Sequence, residues 1–303
     1  MTETVLVPVD GSDHASAGLE YALRSFPDAT ITALYVHDPG HDHYAAVGDA
    51  ETPQEREQAT ARRILEAARE QADAYDHDIE TETRTGTPHT EILECLLEGE
   101  FDAVVMGSHG ESPITRPFLG HVSETIVRRA PVRTTIVSEP LADLRDRDLP
   151  GTVLLGTDGS EQAEAALEYA LETFPEAEFT AVHVLDLPFE HDRADVEGTY
   201  LEPVLEDART RAERILTATE EIADEHGTAI DTAVEYGKPA TEIVGHARAK
   251  GVDGIVMGGH GRSISERVLT GTVAETVTRR SELAVTLVRG GHPSRSIPSN
   301  SGS

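Results

Sequence analysis

Met106-Gly107-Ser108-His109-Gly110 and Met257-Gly258-Gly259-His260-Gly261 each end a short apolar run, Ala103 to Val105 in the first case and Gly254 to Val256 in the second. An apolar run too short for a buried helix, stopped by glycine, reads as a buried strand passing into a turn. The match extends in both directions. Upstream, Val7-Pro8-Val9-Asp10-Gly11-Ser12 recurs as Leu155-Gly156-Thr157-Asp158-Gly159-Ser160, an offset of 148 positions. Glu20-Tyr21-Ala22-Leu23 recurs as Glu168-Tyr169-Ala170-Leu171, and Phe26-Pro27 as Phe174-Pro175. Further along the offset becomes 151: Arg63-Ile64-Leu65 matches Arg214-Ile215-Leu216, and Gly86 to Ile92 matches Gly237 to Ile243. The second copy therefore carries three extra residues between about Val184 and Arg211. Ordered matches over nearly the whole length identify one domain present twice, not a short-period solenoid.

Within the first copy the strand-like runs are Val5–Val9, Thr30–Val36, Ile79–Arg84, Ala103–Met106 and Thr134–Val137. Helical spacing separates them. Ala15, Leu19, Ala22, Leu23 and Phe26 share one face, with Ser12 or Asp13 able to cap the start and Pro27 stopping the end. Ala61, Ile64, Leu65, Ala68, Ala72 and Tyr75 share another. Pro88 suits the first turn of a third helix, and a fourth runs from about His121 to Arg129, before Pro131. Five strands alternating with four helices imply a parallel sheet with right-handed crossovers and helices on both faces. The expected fold class is α/β, as two duplicated doubly wound domains with a five-stranded parallel sheet each. The expected division is residues 1–138 and 151–289. The proline-bracketed, charged stretch 139–150 reads as a linker, and 290–303, rich in Gly, Ser and Pro, as a disordered tail.

Composition narrows the function. The 303 residues hold 56 acidic and 25 basic side chains, a net charge of −31. That field disfavours nucleic acid, whose recognition relies on clustered Lys and Arg. No apolar stretch is long enough to span a membrane, and no basic segment precedes an apolar one near Met1, so a soluble cytoplasmic protein is expected. Cys95, the only cysteine, falls beside Leu93, Leu96 and Leu97 on a helix face and reads as a small buried residue. Lys238 and Lys250 are the only lysines. High acidity, scarce lysine and few aromatics together suggest adaptation to high salt, where screening tames self-repulsion.

The chemistry concentrates in the glycine turns. In the second copy Gly258-Gly259-His260-Gly261 is followed, nine residues on, by Gly271-Thr272 at a helix start. Glycines admit close backbone approach to a phosphate, and a helix N-terminus adds partial positive charge and free N–H groups. A site built from backbone explains how so acidic a chain could hold a polyanion. His109 and His260 sit inside the turns and could touch phosphate or simply fill them. His37, Asp38, His41, Asp42 and His43 form a local cluster that the second copy lacks, which reads as a solvated loop. No lysine-bearing phosphate loop, zinc-protease helix or serine nucleophile elbow is present.

G-x2-G-x9-G-[S/T] after a fourth strand, with V-D-G-S after the first, resembles the nucleotide-binding pattern of universal stress proteins. Gly271-Thr272-Val273-Ala274-Glu275 and Ala284-Val285-Thr286-Leu287-Val288 are similar to that family's C-terminal signature. The resemblance covers both copies and implies a tandem member, strand order 3-2-1-4-5, and ATP, with or without Mg, as ligand. It further implies Asp158 near the ribose or a metal, the Val184 backbone at adenine, and Gly258, Gly261, Gly271 and Thr272 at the phosphates. In the first copy Asp10, Val36, Gly107, Gly110 and Gly120 match. His121 replaces the hydroxyl there, and Glu111 stands where the second copy has Arg262. The family's habit also implies that the two copies pair through their last strands. Further association into a homo-oligomer stays open. Three functions compete: an ATP-binding stress or regulatory module, an ATP-hydrolysing enzyme on the same site, and a nucleotide-free scaffold.

Overall fold

The computed structural model describes residues 2–40, 53–109, 119–138, 149–186, 202–259 and 271–289. The first half runs β1 (Thr4–Pro8), α1 (Asp13–Ser25), β2 (Thr30–His37), α2 (Pro53–Asp73), β3 (Ile79–Thr85), α3 (Pro88–Glu98), β4 (Ala103–Gly107), α4 (His121–Arg129) and β5 (Arg133–Val137). The second half repeats the order as β6 (Thr152–Gly156), α5 (Glu161–Thr173), β7 (Glu178–Leu185), α6 (Glu202–Glu225), β8 (Ile230–Tyr236), α7 (Pro239–Lys250), β9 (Gly254–Gly258), α8 (Thr272–Arg280) and β10 (Ala284–Val288).

Local chemistry explains several boundaries. The Ser12 and Ser160 hydroxyls accept hydrogen bonds from the Ala15 and Ala163 N–H groups at 3.2 and 3.3 Å, fixing the starts of α1 and α5. Both helices end at a phenylalanine followed by proline. Pro88 and Pro239 occupy first-turn positions of α3 and α7.

The strands form a single sheet of ten, in the order β3-β2-β1-β4-β5-β10-β9-β6-β7-β8. Each half keeps the order 3-2-1-4-5, but the two five-stranded sheets expected from sequence are instead one ten-stranded sheet. β5 and β10 run antiparallel, with Thr135 opposite Thr286, flanked by Ile136–Val285 and Thr134–Leu287 pairs. Both strands are largely buried, and joining them removes two exposed edges that would otherwise invite aggregation. The pattern of apolar residues could show that these strands must be covered, not by what.

The core is divided by sheet face, not by half. Alternate strand residues such as Val5, Val7, Val153 and Leu155 pack with α1, α2, α5 and α6 in one continuous cluster. Leu6, Val104, Leu154 and Ile255 pack with α3, α4, α7 and α8 in another. Period-two alternation along buried strands produces this split.

Side chains cross the junction on both faces. Phe26 and Phe174 lie 6.1 Å apart between ring centroids. The Arg133 guanidinium sits 4.7 Å above the Tyr169 ring and donates to Glu3 at 2.7 Å. On the far face Arg128 meets Glu275 at 3.1 Å. The Arg289 Nη2 donates to the Val127 carbonyl at 2.7 Å. Val127 stands in the last turn of α4, and the residue four positions on is Pro131, which has no N–H to give. Burial pulls the Arg289 guanidinium down to about 10.

Candidate functional site

Because strands within a half are parallel, their carboxyl ends share one rim, and strand order reverses on either side of β1 and of β6. Such a switch point is where open α/β sheets hold ligands. In the second half that rim carries Asp158, Val184 and Gly258, with Gly271 and Thr272 at the start of α8. In the first half it carries Asp10, Val36 and Gly107, with Gly120 capping α4. Antiparallel pairing of β5 with β10 puts the two rims at opposite ends of the sheet. Gly110, Glu111, His260, Gly261, Arg262 and Arg267 lie outside the described residues.

The Asp-Gly-Ser turns shape the approach to each site. Asp158 Oδ1 accepts from the Ser160 N–H at 3.0 Å. Asp10 Oδ1 accepts from the Ser12 N–H at 3.0 Å and from its hydroxyl at 2.6 Å. Gly11 and Gly159 adopt φ of 86° and 68°, a conformation that costs other residues energy. His183 Nδ1 lies 2.8 Å from the Thr157 carbonyl, steadying the β6 end beside Val184, which is half-buried.

Main-chain hydrogen bonds tie down both glycine turns, and in the first half the Ser123 hydroxyl also donates to the Gly107 carbonyl at 2.9 Å. Gly259 N–H donates to Val288 at 2.7 Å, and Gly271 N–H donates to Gly259 at 2.7 Å. In the first half Ser108 N–H donates to Val137 at 2.9 Å, and Gly120 N–H to Ser108 at 2.8 Å. These bonds set α8 and α4 with their N-termini against the strand ends. α1 and α5 have serine caps, whereas among the described residues no side chain caps α8 or α4, and a helix start of this kind can offer its first-turn N–H groups to an anion.

Gly107 and Gly258 are required for a reason other than phosphate approach. A Cβ on Gly107 would stand 2.4 Å from the His14 carbonyl oxygen, and one on Gly258 2.9 Å from the Gln162 carbonyl carbon. The first glycine of each turn therefore lets the end of β4 or β9 touch the first turn of α1 or α5. Thr272 is exposed at the α8 start.

The first-half site is lined differently. His109 Nδ1 lies 2.9 Å from the Ser108 hydroxyl, and its ring lies 5.3 Å from that of His14. His121 and His89 form a second edge-to-face pair at 5.2 Å. Burial, with His121 and Arg129 nearby, holds the His89 imidazole below its ordinary value. Sequence reading passed over His14 and His89. Their signal lay in the repeat, since Gln162 and Ala240 stand at the matching positions.

Among other candidates, Cys95 is buried, and burial beside Glu82 pushes its thiol up to about 11. His37 lies 3.6 Å from Glu57, while His41, Asp42 and His43 fall outside the described residues. Among the described residues no cluster of three His, Cys, Asp or Glu is placed to hold a metal, and no helix is long and apolar enough to cross a membrane.

The family model of the universal stress proteins matches residues 1–138 and again 151–289. The chain belongs to the universal stress protein family. A universal stress protein of Mycolicibacterium smegmatis is 28% identical over 295 residues, covering 94% of this chain and 96% of its own. One from Methanocaldococcus jannaschii is 35% identical over 140 residues, 45% of this chain and 81% of its own. The crystal structure of an Archaeoglobus fulgidus universal stress protein shares the fold with a TM-score of 0.68 over 95% of this chain and 98% of its own, at 24% identity. This universal stress protein carries its two family regions in tandem along one chain, and the smegmatis relative aligns across both.

Proposed function

We propose that this chain is a nucleotide-responsive regulatory module of the cytoplasm, with residues 1–138 and 151–289 as its working units, joined by 139–150 and followed by a tail, 290–303. ATP, with Mg as its accompanying cation, binds at the second-half rim. Asp158 lies toward the ribose or metal, Val184 offers backbone to adenine, and Gly258, Gly261, Gly271 and Thr272 surround the phosphates. The supporting observation is the uncapped start of α8, held against the β9 end by the Gly271–Gly259 hydrogen bond. A helix N-terminus and a backbone turn offer N–H donors without lysine, which suits a chain of net charge −31. In the first half Asp10, Val36, Gly107, Gly110 and Gly120 form a weaker version, because Glu111 and His121 replace Arg262 and Thr272. A carboxylate where a guanidinium would stand repels the same polyphosphate.

Calorimetric titration with Mg-ATP tests the reading. Gly271→Asp, which places a carboxylate at the helix start, is expected to abolish the main binding event. Gly120→Asp is expected to change it little. Loss on Gly120→Asp with retention on Gly271→Asp would move the site to the other half. Indifference to both would make the turns purely structural.

A further inference from the structure

The two halves differ in how their paired helices close. In the first half Gln71 of α2 clasps α1: its Nε2 donates to the Ser16 carbonyl at 2.9 Å, and its Oε1 accepts from the Ser16 hydroxyl at 2.9 Å. The matching residues of the second half are Ile222 and Glu164, which cannot make that clasp. Between β6, α5 and α6 lies a cavity of about 330 Å³. Leu155, Leu167, Ile215 and Ile222 supply an apolar interior. Its volume falls at the lower end of small-molecule sites.

The mouth of this cavity is cationic in an otherwise acidic molecule. Arg211 and Arg214 line it and, three positions apart, share one face of α6. Arg214 Nε donates to the Thr210 carbonyl at 3.3 Å, and neither guanidinium has a carboxylate within ion-pair distance among the described residues. Thr60 holds the position of Arg211 in the first half. Glu164, exposed on the α5 side, also lines the cavity, so the described lining residues carry a net charge of one positive unit.

We propose that the cavity binds a small aliphatic monocarboxylate, its chain against Leu155, Leu167 and Ile215 and its carboxylate at Arg211 and Arg214. Apolar burial supplies affinity, and the arginine pair selects the charged head and its orientation. Thr157 and Gly159, which flank Asp158, line this space, so it adjoins the nucleotide rim; Val184, Gly258, Gly271 and Thr272 do not line it, and the proposal does not rest on nucleotide binding.

Titration of the full chain with octanoate, at one fixed salt concentration, tests the assignment. One saturable site is expected. Octan-1-ol, equal in chain length but uncharged, should bind at least tenfold more weakly. The pair Arg211→Glu with Arg214→Glu should weaken octanoate at least tenfold, and Glu164→Gln should tighten it. Copying the first-half clasp with Ile222→Gln and Glu164→Ser should close the cavity and abolish binding, with the unfolding midpoint unchanged or raised. Absence of saturable binding, equal affinity for octan-1-ol, or undiminished binding in the clasp variant would each overturn the proposal.

Discussion

Gly107→Ala and Gly258→Ala place the same methyl group at matching points of the two halves, yet their costs should differ. At Gly107 the new Cβ would meet His14 O at 2.4 Å, His14 C at 2.5 Å and His14 Cβ at 2.8 Å. Ordinary carbon–oxygen contacts begin near roughly 3.3 Å, so the first turn of α1 has to retreat by close to an ångström. That turn is held by the Ser12 cap and by buried Ala15 and Ala17, so it cannot retreat freely. At Gly258 the corresponding contacts with Gln162 are 2.9 to 3.0 Å. The slack has a visible origin. Gly18 in α1 faces Gly107 N at 3.0 Å across its own missing Cβ, whereas Ala166 at the equivalent position of α5 already carries one. Overpacking a tight core costs about 1–3 kcal/mol, sometimes more. We expect about 3 kcal/mol for Gly107→Ala and about 1 kcal/mol for Gly258→Ala, read from urea unfolding at fixed salt without nucleotide. Equal costs, or a larger cost at Gly258, would refute the close-packing account of these turns.

Three further outcomes are expected. Thermal unfolding midpoints should climb as salt rises from dilute buffer toward molar concentration, since screening weakens repulsion within a chain of charge −31; a flat response would leave the acidity without a stabilising partner in salt. The Thr135 and Thr286 hydroxyls meet at 2.9 Å in the buried junction, so Thr135→Val alone should cost about 1–2 kcal/mol, and the double Thr135→Val, Thr286→Val change less than the sum of the singles. Burial raises the Tyr21 phenol to about 12 from its ordinary 10. The unfolded chain then loses this proton first as pH rises, so stability present below pH 10 should fall between pH 10 and 12, by up to about 3 kcal/mol, and Tyr21→Phe should remove that part of the loss.

Element identity was legible where one physical cause dominated. β1 and β4 are short apolar runs bounded by turn residues, and α1 has a serine cap at one end and a proline beyond the other. β3, Ile79–Thr85, shows only partial burial, as expected of an outer strand. Internal repetition identified the duplication. The continuous sheet could not be read from the residues themselves, because pairing of Thr135 with Thr286 joins strands 151 positions apart and apolar sequence does not name its partner; only the family resemblance implied that the last strands meet. The reason for Gly107 and Gly258 was hidden too. A glycine needed against a phosphate and one needed against a helix look the same in sequence, and only the nearness of His14 and Gln162 separates them. The second-half cavity lies between α5 and α6, where the first half has the Gln71–Ser16 clasp between α1 and α2, and the change to Ile222 and Glu164 acquires meaning once the paired helices are seen side by side.

The seam between β5 and β10 belongs to one covalent chain, and that changes its thermodynamics. A seam between separate molecules loosens on dilution, and its midpoint of melting drifts with concentration. Here each edge strand meets its mate at an effective concentration set by tethering, so occupancy of the seam is the same in a sparse or a crowded solution. Neither edge has to find a stranger, and subunits cannot be exchanged between molecules. Freed from being interchangeable, the two halves can diverge residue by residue, as Gln71 and Ile222 have, while their stoichiometry stays fixed at one to one.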